Sequence, residues 1–441
     1  MVKVLTILAL LFACLTFIVL PWVSPVLYVA LSVLQPQHVW FWAFDGIPAY
    51  NIAAGLSLVT WVIQASKKNI DYAVYTLPIN KALFALTFFF NLSEWVASYG
   101  GGKSSELVLD IFNTTMLMYF CCLPLINNKK AVKLITIIFI VTAVYYGYDG
   151  NEAYFNNNWS RFAQGRLNGP PNGAYGDNNK FALIMVIGFP FLLLGFFYYK
   201  NLILKLLMVL GMAMSLHAIF LTSSRGALLA IGGAILVCTR VLHFTGFKKV
   251  FINVAILAGF AFVVLDQAGG TLSRKSEVVS AEQRGEAANP RIASWTVGLG
   301  LIKNHPIFGV GTYRFRIASA IEFPGKSTHV AHNTFITFAA ENGLISGLLY
   351  LYTFWASFVM IRKINKHSNN NSIYRYSANS AFAALGGFFI GAIFLDLIIY
   401  EPYYFLLMLL TACYVQVMKL EGANNDDVNN RLEDPKAAFR V

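Results

Sequence analysis

Apolar runs recur along this chain at the length that a helix needs, roughly 17 to 25 residues, to span about 30 Å of hydrocarbon. They lie near residues 3–34, 50–65, 81–98, 108–126, 132–149, 180–198, 204–222, 226–243, 250–266, 345–362, 379–397 and 401–418. Hydrocarbon offers a backbone amide no partner, so a spanning segment must satisfy its own N–H and C=O groups as a helix or a closed barrel. The runs therefore predict an all-α polytopic membrane protein with about twelve transmembrane helices. Only 12% of the residues are charged, against about 25% in soluble domains, which excludes a soluble core. The first run is too long for one straight helix and carries Pro21 and Pro25, so a break is expected there, with Trp22 at the membrane boundary.

Short loops set the orientation. Lys67–Lys68, Lys129–Lys130 with Lys133, Lys200 with Lys205, Lys248–Lys249, Arg362–Lys363 with Lys366, and Lys419 all fall on one side. The positive-inside rule makes that side the cytoplasm. Both termini then lie inside, and the charged, Asn-rich tail 419–441 is expected to be disordered. The opposite, periplasmic face receives residues 35–49, 150–179, the turn 222–226 and the long polar interval 266–343, in which short helices are expected. A net charge of +12 is accounted for by the basic loops, and no nucleic-acid partner is implied. Cys14, Cys121, Cys122, Cys238 and Cys413 all sit in apolar runs without CxxC spacing, so neither a disulfide framework nor a zinc site is expected.

Arginine dominates the outer pieces. Arg161, Arg166, Arg225, Arg274, Arg284, Arg291, Arg314 and Arg316 lie there, whereas the short inner loops are mostly lysine. A planar guanidinium is the better bidentate partner for phosphate, so the pattern points to an anionic, lipid-linked substrate. Pairing with lipid headgroups or with Glu277, Glu282, Glu286 and Glu322 is the competing role. Arg225 follows only Thr222, Ser223 and Ser224 after an apolar run, and a charge held at that depth is costly and usually functional; a snorkelling side chain is the alternative. Pro290 pre-sets a helix start at Arg291, where free N–H groups and the helix dipole favour an anion.

His332 stands before Asn333 and an amphipathic stretch, Thr334–Glu341, and histidine is the side chain suited to take a proton near neutral pH. His305 and His329 compete for that role. Asp177, in Gly176–Asp177–Asn178–Asn179, either caps the helix from Lys180 or orients a sugar. No internal repeat marks an inverted transporter symmetry, although Pro and Gly interrupt several runs, so a transporter or flippase for a lipid-linked sugar stays open.

Taken together, Ser224–Arg225–Gly226, the start Arg291–Trp295, His305–Pro306–Ile307–Phe308–Gly309–Val310–Gly311, His332–Asn333 and Glu341–Asn342–Gly343 resemble the O-antigen ligase and polymerase superfamily over roughly residues 175–360. Gln35–Pro36–Gln37–His38–Val39–Trp40 further resembles the branch that accompanies exosortase systems, the O-glycosylation ligases. The resemblance implies a GT-C-like glycosyltransferase of the bacterial inner membrane, inverting and independent of metal or cofactor. Its donor would be an undecaprenyl-diphosphate-linked glycan, its acceptor a hydroxyl of lipid A core, of another glycan or of a protein, and its surroundings membrane lipids. By the same resemblance Arg225 and Arg291 hold the diphosphate and His332 activates the acceptor. Arg284, Arg314, Asp177, Asn179 and Asn333 are the supporting substrate-binding candidates.

The chain then divides into N-terminal helices with the first periplasmic loop (1–174), the ligase-like core (175–360), C-terminal helices (361–418) and the tail. Because the sequence shows no carboxylate and histidine set with metal-ligand spacing, glycan transfer is expected to persist when EDTA is added to an assay of the purified protein; its loss would restore a divalent ion to the reaction.

Overall fold

The computed structural model describes residues 2–242, 290–326, 330–369 and 371–433. The expected crossing at 250–266, Lys248–Lys249, Arg274, Arg284 and His329 lie outside the described residues. The helices in order are α1 (Val2–Thr16), α2 (Val23–Leu34), the short α3 (Pro36–Val39) and α4 (Phe41–Phe44), α5 (Ala49–Ser66), α6 (Pro78–Val96), α7 (Lys103–Cys122) and α8 (Lys129–Phe155). After a two-residue hairpin, β1 (Phe162–Ala163) and β2 (Arg166–Leu167), come α9 (Asn178–Tyr198), α10 (Leu202–Leu221) and α11 (Arg225–Val241). Then follow α12 (Pro290–Asn304), α13 (Phe315–Glu322), α14 (Thr334–Asn342), α15 (Leu344–His367), α16 (Ile373–Phe394) and α17 (Glu401–Glu433).

The chain is an all-α polytopic membrane protein. Among the described residues seven helices are long and apolar enough to cross a membrane: Lys103–Leu125, Lys129–Phe155, Asn178–Tyr198, Leu202–Leu221, Leu344–His367, Ile373–Phe394 and Glu401–Gly422. Helices α5, α6 and α11 occupy the runs read at 50–65, 81–98 and 226–243. The first run breaks between Thr16 and Val23, and Pro25 sits in the first turn of α2, where a missing N–H costs nothing. Helix α17 runs on to Glu433, so residues 419–433 of the expected disordered tail are helical. Extending a formed helix adds one hydrogen bond per residue without a new nucleus.

Two ends of the bundle differ in chemistry. At one end Lys419 pairs with Asp71 at 2.8 Å and His367 with Glu421, which ties the loop after α5 and the end of α15 to α17. At the other end lie the described parts of the polar interval, 290–326 and 330–343, with residues 35–49 and the loop between α8 and α9. That loop is fastened to α2, where Gln35 Oε1 accepts from the Ala174 N–H at 2.9 Å and the Tyr175 hydroxyl donates to the Val33 carbonyl at 3.1 Å. Inside the bundle, polar side chains tie helix to helix: Ser24 with Thr60 at 2.9 Å, Thr136 with Ser377 at 2.6 Å, and Ser32 and Tyr50 on Glu401. Such bonds replace the hydrophobic drive that lipid cannot supply between helices.

Above the bundle, α12, α13 and α14 bury a small core of their own around Val297, Leu301, Val310, Phe315, Ala318 and Ala340. The Pro306–Gly311 stretch lies along the end of α14: Val310 N–H donates to the Ala340 carbonyl at 2.9 Å and Gly311 N–H to the Glu341 carbonyl at 2.8 Å. Gly309 and Gly343 have φ of 70° and 88°, and a Cβ on either would meet backbone at 2.3 and 1.9 Å, so only glycine fits.

This unit is clasped to the bundle by charge. Arg314, 5% exposed, pairs with Glu94 of α6 at 2.5 Å, and Ser93 donates to the Glu341 carbonyl at 2.8 Å. The Glu341 carboxylate accepts the Tyr313 and Phe315 N–H groups at 2.8 and 3.1 Å. Burial pushes the Glu341 carboxyl up to about 8, and the Asp396 charge adds to the rise, while the two backbone bonds and Arg314 oppose it. With the folded-state value above the unfolded one, the folded form holds the extra proton. Stability from this group is full below the ordinary glutamate range and falls as pH rises toward 8. Thermal unfolding in detergent is expected to show that loss between pH 5 and 8 in the wild type and a flatter profile in Glu341→Gln.

Candidate functional site

Helix ends build the site. Leu221 closes α10, Ser223 takes φ 49°, and α11 begins at Arg225 with the Ser224 hydroxyl capping the Ala227 N–H at 3.4 Å. The start of α9 holds this turn: Asn178 donates to the Thr222 carbonyl at 3.1 Å and Ser224 donates to Asn179 Oδ1 at 2.8 Å. From the other side Arg166, on the hairpin, donates to the Ser223 carbonyl at 3.3 Å. The hairpin is fixed by its two-residue turn, in which Gln164 and Gly165 both take positive φ. At its base Arg161 reaches Asp149 at 2.8 Å and the Asn168 carbonyl at 2.9 Å.

Arg291 enters from α12, whose described part runs from Pro290 to Asn304. Burial, then the like charges of Arg166 and Arg225, lower the Arg291 guanidinium from its usual value. Three guanidinium groups from β2, α11 and α12 therefore lie within one another's field. Among the described residues no carboxylate forms an ion pair with Arg166 or Arg225. Like charges at such range raise each other's free energy, and a bound anion reverses the sign of that term.

The turn after α16 links this cluster to the histidine. Gly226 packs on Phe394, so closely that a Cβ there would lie 3.3 Å from the Phe394 Cβ. Two residues on, Asp396 accepts the His332 backbone N–H at 3.1 Å and the Thr337 hydroxyl. Its Oδ2 also stands 3.9 Å from His332 Nδ1. That is longer than a hydrogen bond, as side-chain pairs in unliganded sites often are. His332 takes φ 49°, a strained setting for a residue with a Cβ, of the kind that collects at functional sites. Its side chain is 45% exposed, and Nε2 is the ring nitrogen turned from the carboxylate. Thr334 completes the junction by donating to the Leu395 carbonyl at 2.6 Å and accepting from the Leu397 N–H at 3.1 Å.

The remaining sequence candidates occupy other positions. Asp177 caps α9, accepting from Asn179 and Lys180 N–H, and Asn333 caps α14, accepting from Phe335 and Ile336 N–H. Asn179 braces the Arg225 turn, and Arg314 belongs to the clasp with Glu94. His305 lies 2.7 Å from Glu322, which also receives Asn304 and Tyr99. Burial works against ionisation of Glu322, yet these hydrogen bonds together hold its carboxyl below the ordinary glutamate value. Two residues that sequence reasoning did not select stand in the cluster. Arg166 was one outer arginine among several; Asp396 is a lone acid inside the apolar run Phe394–Ile399, and that isolation is the signal that marks it.

The fold is thus a multi-pass membrane bundle with three arginines and a histidine–aspartate pair at one end. Residues 210–351, which span the Arg225 turn, Arg291 and His332, match the O-antigen ligase family model, and that match supports a place in the O-antigen ligase and polymerase superfamily. No curated protein matches the chain.

If the arginine cluster receives a diphosphate, a diphosphate-headed lipid in nanodiscs binds the wild type and loses about tenfold or more in affinity in Arg225→Lys and in Arg166→Ala. Lysine keeps the charge but not the bidentate fork, so wild-type affinity in Arg225→Lys would dismiss the clamp.

Proposed function

We propose that the protein is an inverting, metal-independent glycosyltransferase that moves a glycan from undecaprenyl diphosphate to an acceptor hydroxyl at the periplasmic face of the bacterial inner membrane. The observation that carries this reading is the pairing, across one short turn, of the arginine cluster with His332 and Asp396. The match of residues 210–351 to the O-antigen ligase family supports a lipid-linked glycan as substrate.

In this reading Arg225, Arg291 and Arg166 hold the diphosphate. The acceptor oxygen attacks the anomeric carbon from the side opposite the diphosphate. The bond from that carbon to the phosphate oxygen breaks, its electron pair stays on the diphosphate, and the configuration inverts. Negative charge grows on the departing group as this happens, which is where fixed guanidinium groups lower a barrier most. The acceptor proton passes to Nε2 of His332, and Asp396 steadies the imidazolium and fixes the ring. Asp177, Asn179, Asn333 and Arg314 then serve by holding the helix ends in place.

The test is a transfer assay with purified protein, undecaprenyl-diphosphate glycan and candidate acceptors. His332→Ala is expected to lower kcat by a factor of about 100 or more with donor binding unchanged, and Asp396→Asn by about tenfold or more. Full turnover in His332→Ala removes the base, and glycolipid flux in liposomes without transfer to any acceptor removes the enzyme.

A further inference from the structure

Helix α9 opens with a lysine for which the fold supplies no partner. Lys180 lies in the first turn, where its N–H donates to the Asp177 cap at 3.1 Å. The dipole of a 21-residue helix disfavours a cation at that end. Among the described residues the Lys180 ammonium has neither an ion pair nor a hydrogen bond. Asp177, the nearest carboxylate along the chain, turns its Oδ1 to the Asn179 and Lys180 N–H groups instead. An unpaired cation in an unfavourable place breaks a local rule of folding, and such breaks collect where a protein works on a ligand.

Packing limits where that ammonium can go. Helices α8, α10, α11 and α16 all pack on α9, and the next four residues, Phe181, Ala182, Leu183 and Ile184, are fully buried. Lys180 itself is half-buried. Side chains of a helix tilt toward its N-terminus, so the stem runs along the mouth of α9 and the charged head emerges beyond it. Two walls meet at that mouth. On one, Asn178 and Asn179 hold the Thr222 carbonyl and the Ser224 hydroxyl, which lead directly to Arg225. On the other, the Lys180 carbonyl accepts the Tyr400 hydroxyl at 3.2 Å. Tyr400 is buried, stacked on Phe388 and set against Tyr175, and it closes the turn 395–400 that carries Asp396. The Lys180 backbone is thereby anchored between the arginine turn and the Asp396 turn.

We propose that Lys180 is a substrate-binding residue whose ammonium contacts the donor diphosphate, on the side toward Asp396 and His332, as a further cation beside Arg166, Arg225 and Arg291. The proposal rests on the transferase reading above. Where the arginines present planar forks, an ammonium is a point charge on a flexible stem, suited to follow a phosphate as its bond to the sugar breaks. No other group of the fold depends on this charge, so its removal leaves the empty protein at least as stable.

Amine footprinting tests this on the purified protein in phosphatidylcholine nanodiscs, with acetylation of Lys180 followed by mass spectrometry and the other lysines as internal reference. Undecaprenyl diphosphate is expected to slow acetylation of Lys180 about fivefold, and added phosphatidylglycerol to leave it unchanged. Equal labelling with and without the diphosphate overturns the proposal. So does equal protection by phosphatidylglycerol, which would make Lys180 a general headgroup contact. In a binding measurement Lys180→Gln should weaken undecaprenyl diphosphate about fivefold and Lys180→Arg should restore most of that affinity, while the melting temperature of empty Lys180→Gln is no lower than that of the wild type. Unchanged affinity in Lys180→Gln, or a lowered melting temperature that Lys180→Arg does not rescue, also overturns it. If the wild type binds the diphosphate and Arg225→Lys weakens it while Lys180 stays unprotected, only the lysine assignment falls. A wild type that does not bind the diphosphate removes the transferase reading as well.

Discussion

Hydrocarbon has no partner for a bare backbone amide, and that constraint decides where this protein can keep its chemistry. Within the membrane the chain must be helix, with side chains that are apolar or bonded to one another. Polar and charged groups are therefore driven to the places where helices stop. Arg225 begins α11, Arg291 lies in the first turn of α12, His332 precedes the cap of α14, and Asp396 follows the end of α16. Each is set by a terminus whose neighbours are capped or bonded, so a site assembled from far-separated parts of the chain has little freedom.

The same constraint explains why charges at this end fall into two kinds. Arg314 and Glu94 meet in a buried pair that fastens the outer unit to α6, and a buried charge without such a partner would be strongly destabilising. The Arg166, Arg225 and Arg291 cluster is arranged the other way, cation beside cation. In the proposed reading, an incoming anion would offset the mutual repulsion of these charges. On that reading, the roles of Arg314 and of the cluster differ by what surrounds each guanidinium, not by residue type.

Much of the fold was legible in the sequence because a membrane helix announces itself by length and apolarity alone. The break near Pro21 and the capping of α9 by Asp177 followed from proline and cap chemistry. Arg225, Arg291 and His332 stood out for similar local reasons. Long-range pairing was not legible. Nothing near Arg314 reveals that its partner is Glu94, 220 residues earlier, and Asp396 was absorbed into the apolar run that ends at residue 397. Arg166 needed the hairpin to carry it to the Ser223 carbonyl. Local rules locate helix ends; only packing tells which ends meet.

A single displacement, with the diphosphate held on one side and the acceptor oxygen delivered from the other beside His332, leaves its record in the product. The most direct measurement is the anomeric configuration of the new linkage, determined by NMR on glycan transferred by the purified protein from a donor of known configuration. The account predicts the opposite configuration in the product. Retention would mean two successive displacements or attack from the diphosphate's own side, and would contradict it.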